Sequence, residues 1–291
     1  MGKRLFVFIL VFLLIVQVSS YAASSDMISV LLLGTDDLGE FLITDSEEMS
    51  RSDALFIVTL QPETGAIKIL SIERDYLVEL PDNLGINKLG ISSYFGGPDM
   101  TLATVNEMFD LSIDYYAHID ITNVIKAIDI IGGVEVNVRG DEVDEINAFI
   151  DSIKNYSELE HVTAGINLLN GPEAWAFLGV RNVDIDTVES NAARNDRQQR
   201  VLTACLDKLF EMGSVEAMKL ANDVLPLVKT NLTMADIIST ITVALKCDFE
   251  KVSYLRTPIG PYQKKRVDMH RGIVLENLDS EIALVHQFLF D

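Results

Sequence analysis

Three short polar segments in the first quarter of the chain carry residue types suited to chemistry. They are Gly34-Thr35-Asp36, Arg51-Ser52-Asp53 and Glu73-Arg74-Asp75. Carboxylates are hard oxygen ligands for a divalent cation, and a guanidinium grips phosphate oxygens with a planar fork. Asp36, Asp53 and Arg74 brought to one place would therefore suit a divalent cation together with a phosphate. The competing reading is three unrelated charged loop ends on a solvated rim.

The elements around these segments decide whether they meet. Ile28–Gly34, Ala54–Leu60 and Ile67–Ile72 are short apolar runs rich in β-branched residues and bounded by turn formers, the pattern of buried strands. Gln61-Pro62-Glu63-Thr64-Gly65 joins the second to the third as a tight turn, with Pro presetting φ and Gly open to positive φ. Those two strands are expected to be antiparallel neighbours. If the first also pairs antiparallel to the second, the end of the first, the start of the second and the end of the third share one edge.

A second constellation lies farther along. A helical pattern from Ala192 to Met212 buries Leu202, Cys205, Leu206 and Leu209 on one face. Followed backward, that face passes Gln198 and Arg194. Arg194, Arg197 and Arg200 thus crowd the helix N-terminus, where the dipole disfavours cations by a few tenths to about 1 kcal/mol. An anionic ligand would offset that, and so would nearby carboxylates such as Asp196. A solvated Arg-rich face paired with surface acids is the plainer alternative. Arg181 follows the helix carrying Trp175 and Phe177 and precedes an acidic loop from Val183 to Ser190. His118, His161, His270 and His286 are scattered and lack metal-ligand spacing. No Walker loop, nucleophile elbow or dinucleotide fingerprint is present.

Composition narrows the partners. The 291 residues include 44 acids against 23 lysines and arginines, a net charge of −21. That argues against nucleic acid, whose binders need a basic face, and against a broad contact with anionic lipid. An anionic substrate must be held by a local Arg cluster against the overall field. Residues 1–22 read as a signal peptide or membrane anchor: Lys3 and Arg4, an apolar run from Leu5 to Val18 that is short for a span, and Ser20-Tyr21-Ala22 as a cleavage site. The folded part is expected outside the cytoplasm. The two cysteines, Cys205 and Cys247, do not make a disulfide framework; a buried thiol is the plain expectation for Cys205, with a disulfide the alternative.

Residues 26–291 read as one domain with a C-terminal helical and strand extension. Further strand signals fall at Tyr115–Ile119, Val134–Val138 and Val252–Thr257. Helical patterns cover Asp99–Phe109, Thr122–Ile131 with Thr122 as N-cap and Gly132-Gly133 as its stop, Asp141–Tyr156, Asn170–Leu178, Val215–Val228, Ala235–Lys246 and Ser280–Phe290. Strands interleaved with helices, plus one hairpin, imply an α/β fold: a three-layer α/β/α sandwich on a central mixed sheet.

The succession of motifs resembles the LytR-CpsA-Psr family. It comprises Leu31-Leu32-Leu33-Gly34-Thr35-Asp36, Arg51-Ser52-Asp53, Ser71-Ile72-Glu73-Arg74-Asp75, Asn87-Lys88-Leu89, Tyr94-Phe95-Gly96-Gly97, Ile113-Asp114-Tyr115-Tyr116, Ile131-Gly132-Gly133-Val134, Leu169-Asn170-Gly171-Pro172-Glu173-Ala174 and the run from Arg194 to Leu202. The resemblance covers about Ile28 to Leu209. It implies an exported or membrane-anchored enzyme at the membrane surface that transfers a glycopolymer from an undecaprenyl-pyrophosphate carrier to peptidoglycan as a phosphodiester, with Mg2+ bound beside the pyrophosphate. Wall teichoic acid and capsular polysaccharide are the cargo it suggests.

Residue by residue, the resemblance assigns Asp36 and Asp53 to the metal and Arg74, Arg181 and Arg194 to the reacting phosphates. Arg51, Lys88 and Gln198 match site positions of the family and fall to substrate binding, where Asn191 and, from the Arg-rich helix pattern, Arg197 and Arg200 are also expected. Leu38, Gly179 and Asn191 depart from the pattern, which carries Arg, Arg and Asp there. Each lost charge-assisted hydrogen bond is worth roughly 1.5–3 kcal/mol, and Asn191 cannot serve as a base. Those departures leave room for a non-catalytic binder of lipid-linked polymer or a wall scaffold. A transcriptional attenuator, the third alternative, finds no basic helix-turn-helix in the sequence.

Overall fold

The computed structural model describes residues 27–35, 52–153, 156, 159–180, 196–197, 200–201, 204–205, 208, 223–244, 246–248, 251–267 and 269–291, with the side chains of residues 53, 238 and 241 left aside. The expected signal or anchor segment and the helical pattern from 215 to 222 lie outside them. Strands β1 (Ile28–Thr35), β2 (Ser52–Gln61) and β3 (Ala66–Ser71) come first. A hairpin, β4 (Leu77–Leu80) and β5 (Gly85–Lys88), leads through a 3-10 turn (Leu89–Ile91) to helix α1 (Ser92–Phe109) and strand β6 (Tyr115–Asp120). Residues 121–227 supply α2 (Ile121–Ile130), β7 (Val134–Val138), α3 (Val143–Ser152), β8 (Gly165–Leu169) and α4 (Gly171–Gly179). The chain continues as β9 (Lys229–Thr230), α5 (Met234–Ala244), β10 (Val252–Arg256), hairpin β11 (Tyr262–Val267) and β12 (His270–Leu275), and α6 (Leu278–Phe290). Contacts divide the described residues into two compact units: residues 27–120 with 228–291, and residues 121–227.

The first unit is built on a six-stranded mixed sheet in the order β10-β3-β2-β1-β6-β9. The hairpin expected from Pro62 and Gly65 is present: β2 and β3 pair antiparallel, and Gly65 takes φ +72°. β1 pairs antiparallel to β2 on one side and parallel to β6 on the other. Alternation along the strands loads both faces with apolar side chains. Leu31, Leu33, Leu55, Ile57 and Leu70 meet Val105 and Phe109 of α1 and Val285 and Leu289 of α6 in one core. Each such fully buried side chain is worth roughly 1.5–3 kcal/mol. The opposite face carries Val30, Val58 and Ile69. α5 packs on β2, and its Asp236 accepts a hydrogen bond from Tyr115, which lies in register with Val30 on that face. The result is the expected three-layer α/β/α arrangement.

In the second unit several of the motifs serve structure rather than chemistry. Asn170 caps α4 by accepting from the Glu173 amide at 3.0 Å, and Glu173 accepts from the Asn170 amide at 3.0 Å, a capping box. A Cβ at Gly171 would sit 2.3 Å from the Ile125 carbonyl oxygen, so only glycine lets α4 start against α2. Gly132 and Gly133 end α2 with φ of +74° and +79°. The helix begins one residue before the expected cap, at Ile121, because β6 runs straight into it. α3 is shorter than its periodicity suggested: Ile153 is extended, which stops the helix at Ser152.

Candidate functional site

The strand ends expected to meet do meet. Ser52 at the start of β2 stands opposite Thr35 at the end of β1, and the Ile72 amide, just past β3, donates to the Leu55 carbonyl at 2.9 Å. The register shifts at this edge: Gly34 opposes Ala54 and Thr35 opposes Ser52. Asp53 is therefore the extra residue of a β-bulge, a device that ends pairing and bends the strand beside many active sites. Thr35 also faces Asp120 of β6, and its hydroxyl lies 2.9 Å from His118 Nε2. Ser52 is fully buried, and among the described residues its Oγ meets no hydrogen-bond partner.

The Glu73-Arg74-Asp75 loop is clamped from several sides. The Arg74 carbonyl accepts from the Gly90 amide at 2.9 Å, and the Asp75 carbonyl accepts from the Ile273 amide at 2.8 Å. Glu73 pairs with Arg256 of β10. Lys88 Nζ binds Asp75 Oδ1 at 2.8 Å with its side chain 42 % exposed, so one of its three donors is engaged. Gly90 is the wedge: a Cβ there would lie 2.8 Å from the Ser52 carbonyl oxygen and 3.0 Å from Arg74 Cβ. That contact sets the half-buried Arg74 next to the start of β2.

Arg197 and Arg200, both in helical conformation, have a different setting. Arg197 is 1 % exposed. Its guanidinium donates to Glu142 Oε1 at 3.5 Å and to the Val180 carbonyl. Arg200 donates to both oxygens of the same carboxylate, at 2.9 Å for Oε2, and stacks over the Phe177 ring at 4.7 Å. Asp196 ties Arg200 to Arg139 at 2.9 and 2.8 Å. Burial pushes the Glu142 carboxyl up, but the Arg200 hydrogen bonds, the Arg139 amide and the two guanidinium charges outweigh it and hold the group below the usual glutamate range. Burial likewise lowers Arg197 against the pull of Glu142. Sequence reasoning offered Arg197 and Arg200 to a substrate; the structure shows both engaged by Glu142, which it had missed. The available signal was an acid at the mouth of an amphipathic helix, three residues after Arg139.

Asp36, Arg51, Arg181, Asn191, Arg194, Gln198 and Leu38 lie outside the described residues. Gly179 is the last residue of α4, in ordinary helical conformation. Cys205 and Cys247 are both buried and free, and burial raises the Cys205 thiol to about 12, which makes it inert. Among the described residues no helix is long and apolar enough to cross a membrane, and no three His, Cys, Asp or Glu side chains are gathered as a metal group.

The fold, the bulged strand-end edge and the ordered motifs together define a protein class, and comparison settles it. A model of the LytR_cpsA_psr family matches residues 15–279, and the chain belongs to that family. It is 31 % identical over 274 residues to the polyisoprenyl-teichoic acid--peptidoglycan teichoic acid transferase TagT of Bacillus subtilis, covering 92 % of this chain and 81 % of that protein. It is 30 % identical over 215 residues to the transferase TagU of Bacillus mycoides, covering 72 % of this chain but 62 % of TagU. A solved structure described as TagT bound to LIIa-WTA superposes with a TM-score of 0.66 at 25 % identity, covering 94 % of each chain. The fold is shared with protein gbs0355 of Streptococcus agalactiae at a TM-score of 0.69, with 91 % of this chain and 88 % of that one covered, at 22 % identity.

Proposed function

We propose that this protein transfers a glycopolymer from an undecaprenyl-pyrophosphate carrier to peptidoglycan. The acceptor hydroxyl attacks the phosphorus next to the sugar and loses its proton. The phosphoanhydride bond breaks, a phosphodiester to peptidoglycan forms, and undecaprenyl phosphate departs. The polymer is of the teichoic acid type, in keeping with the relatives' named activity. A peptidoglycan acceptor implies a reaction outside the cytoplasm, in keeping with the relatives' named activity.

One observation carries this reading: the meeting of the β1, β2 and β3 ends around the clamped Arg74 loop. Phosphoryl transfer needs mainly positioning and charge neutralisation, and an arginine whose main chain is held by hydrogen bonds brings a cation to that edge. The same edge suits Mg2+. Its donors are oxygens, including the orphaned Ser52 hydroxyl beside Asp53. Asp36 and Asp53 would hold the ion, which would neutralise phosphate charge. Lys88 adds cationic reach, and Arg51, Arg181, Arg194 and Gln198 are the further positions that family likeness offers to the pyrophosphate.

Arg74→Ala is the direct test. Binding of a prenyl pyrophosphate should be lost with the melting temperature little changed. A variant that binds like the wild type moves the site elsewhere. Asn191 favours a second reading, a carrier-binding protein without turnover. Release of prenyl phosphate from a lipid-pyrophosphate donor, present or absent in the wild-type protein, decides between the two.

A further inference from the structure

We propose that the β11–β12 hairpin docks this protein onto an anionic membrane surface, with Met269 at the point of contact. The proposal rests on the lipid-linked donor read above. On a chain with 44 acids against 23 lysines and arginines, this hairpin inverts the balance. Its sequence carries Lys264, Lys265, Arg266 and Arg271 and a single acid, Asp268. All four cations are exposed. Arg266 stands directly opposite Arg271, and Lys265 opposite Gly272, so charge is presented on both faces of the ribbon. At the tip, Met269 is 82 % exposed, more than any other large apolar residue among those described, and Tyr262 at the base is 40 % exposed.

The base of the hairpin is fixed. Ile273 is buried in the sheet's main core. Its amide donates to Asp75 at 2.8 Å, and a Cβ at Gly272 would lie 2.3 Å from the Asp75 carbonyl oxygen. Gln263 holds Glu276 at 2.9 Å, and the Glu276 amide closes on the Pro261 carbonyl at 3.1 Å. The tip therefore projects from a rigid root that touches the residue after Arg74. A membrane bound here holds Arg74 at a set height above the lipid plane, where a lipid-linked pyrophosphate lies.

Charge chooses the occupant. The chain as a whole carries a net charge of −21 and is repelled by anionic headgroups, so among the described residues this ribbon is the favoured point of contact and orients the approach. Each lysine or arginine at such a surface strengthens contact roughly fivefold at physiological ionic strength. A soluble polyanion would use the cations but has no use for an exposed methionine between them.

The test uses the full chain with Met269→Trp. Trp175, the chain's single tryptophan, is 9 % exposed and gives the background. Quenching by brominated lipid is read in vesicles of phosphatidylcholine and phosphatidylglycerol at about 3:1, an anionic surface of the kind basic segments seek, and in phosphatidylcholine alone. Quenching several-fold above background is expected in the anionic vesicles only. It should fall to background when Lys264→Gln, Lys265→Gln and Arg271→Gln are added, and persist with the charge-preserving pair Lys264→Arg and Lys265→Arg. Absence of quenching, equal quenching in neutral vesicles, or quenching indifferent to the three glutamines overturns the proposal. So does shielding of the new tryptophan from acrylamide by soluble polyphosphate but not by vesicles, which would assign the ribbon to a polyanion. Turnover of a short-chain, water-soluble donor, which needs no membrane, should be unchanged in these variants. Its loss in the wild type would sink the transferase reading and leave the vesicle result standing.

Discussion

Arg200 meets Glu142 fork to fork, with both terminal guanidinium nitrogens on both carboxylate oxygens. Arg197, 1 % exposed, shares the same carboxylate. A buried charge pair of this kind adds little by itself, but removing one partner strands the other. Glu142→Gln should therefore destabilise the protein by about 3–5 kcal/mol, read as a shifted denaturant midpoint. The pH dependence follows in sign. The folded carboxyl titrates below its ordinary 4.5, so its contribution is complete above that pH and fades as the pH falls through the depressed value. The wild type should lose stability on acidification in that window, and the glutamine variant should lack that component. Identical acid curves would remove Glu142 from the account.

Gly90→Ala tests the wedge. A Cβ at 2.8 Å from the Ser52 carbonyl has backbone before it, which cannot swing aside as a side chain can. The loop holding Arg74 must shift, at a cost of about 1–3 kcal/mol. Prenyl-pyrophosphate affinity should fall along with the melting temperature. A stable variant with unchanged affinity would mean that Gly90 does not set Arg74.

Metal dependence should depend on the bulge. Calorimetric titration of Asp53→Asn with a prenyl pyrophosphate should show donor binding that magnesium no longer strengthens, whereas the wild type gains affinity with the ion. An unaltered magnesium effect would exclude Asp53 as a ligand.

The departures from the family pattern separate cleanly. Asn191→Asp should raise turnover by at least about tenfold, since a positioned base contributes 10²–10⁴-fold, with little change in donor affinity because it acts in the transition state. Gly179→Arg is obstructed. Its backbone is ordinary helix, but a Cβ would press to 3.2 Å on Phe149, whose ring is edge-on to Trp175 at 5.3 Å. That variant should lose stability by about 1–3 kcal/mol before any phosphate contact is gained. Single-turnover assays and melting curves on the two variants check both outcomes.

The sequence by itself determined the strand-end edge. Apolar runs of strand length and a Pro62–Gly65 turn are local signals, and an antiparallel hairpin leaves only one edge at which residues 53 and 74 can lie. The glycine stop at Gly132-Gly133 was legible for the same reason: it is settled within one helical turn.

Only the tertiary structure decided what lies beyond such local reach. β8 was invisible because its alternation is inverted: Ile166 and Leu168 point outward at 68 and 62 % exposure, so no polar-out pattern exists to read. β11 is exposed along most of its length and owes its strand form to pairing with β12. The parallel placement of β6 beside β1 rests on packing between segments far apart in sequence. Arg197 and Arg200 make the point most sharply. Three arginines near a helix start look alike in sequence whether they face a pyrophosphate or a carboxylate from another helix. The acid that claims two of them stands more than fifty residues away, and no periodicity carries that distance.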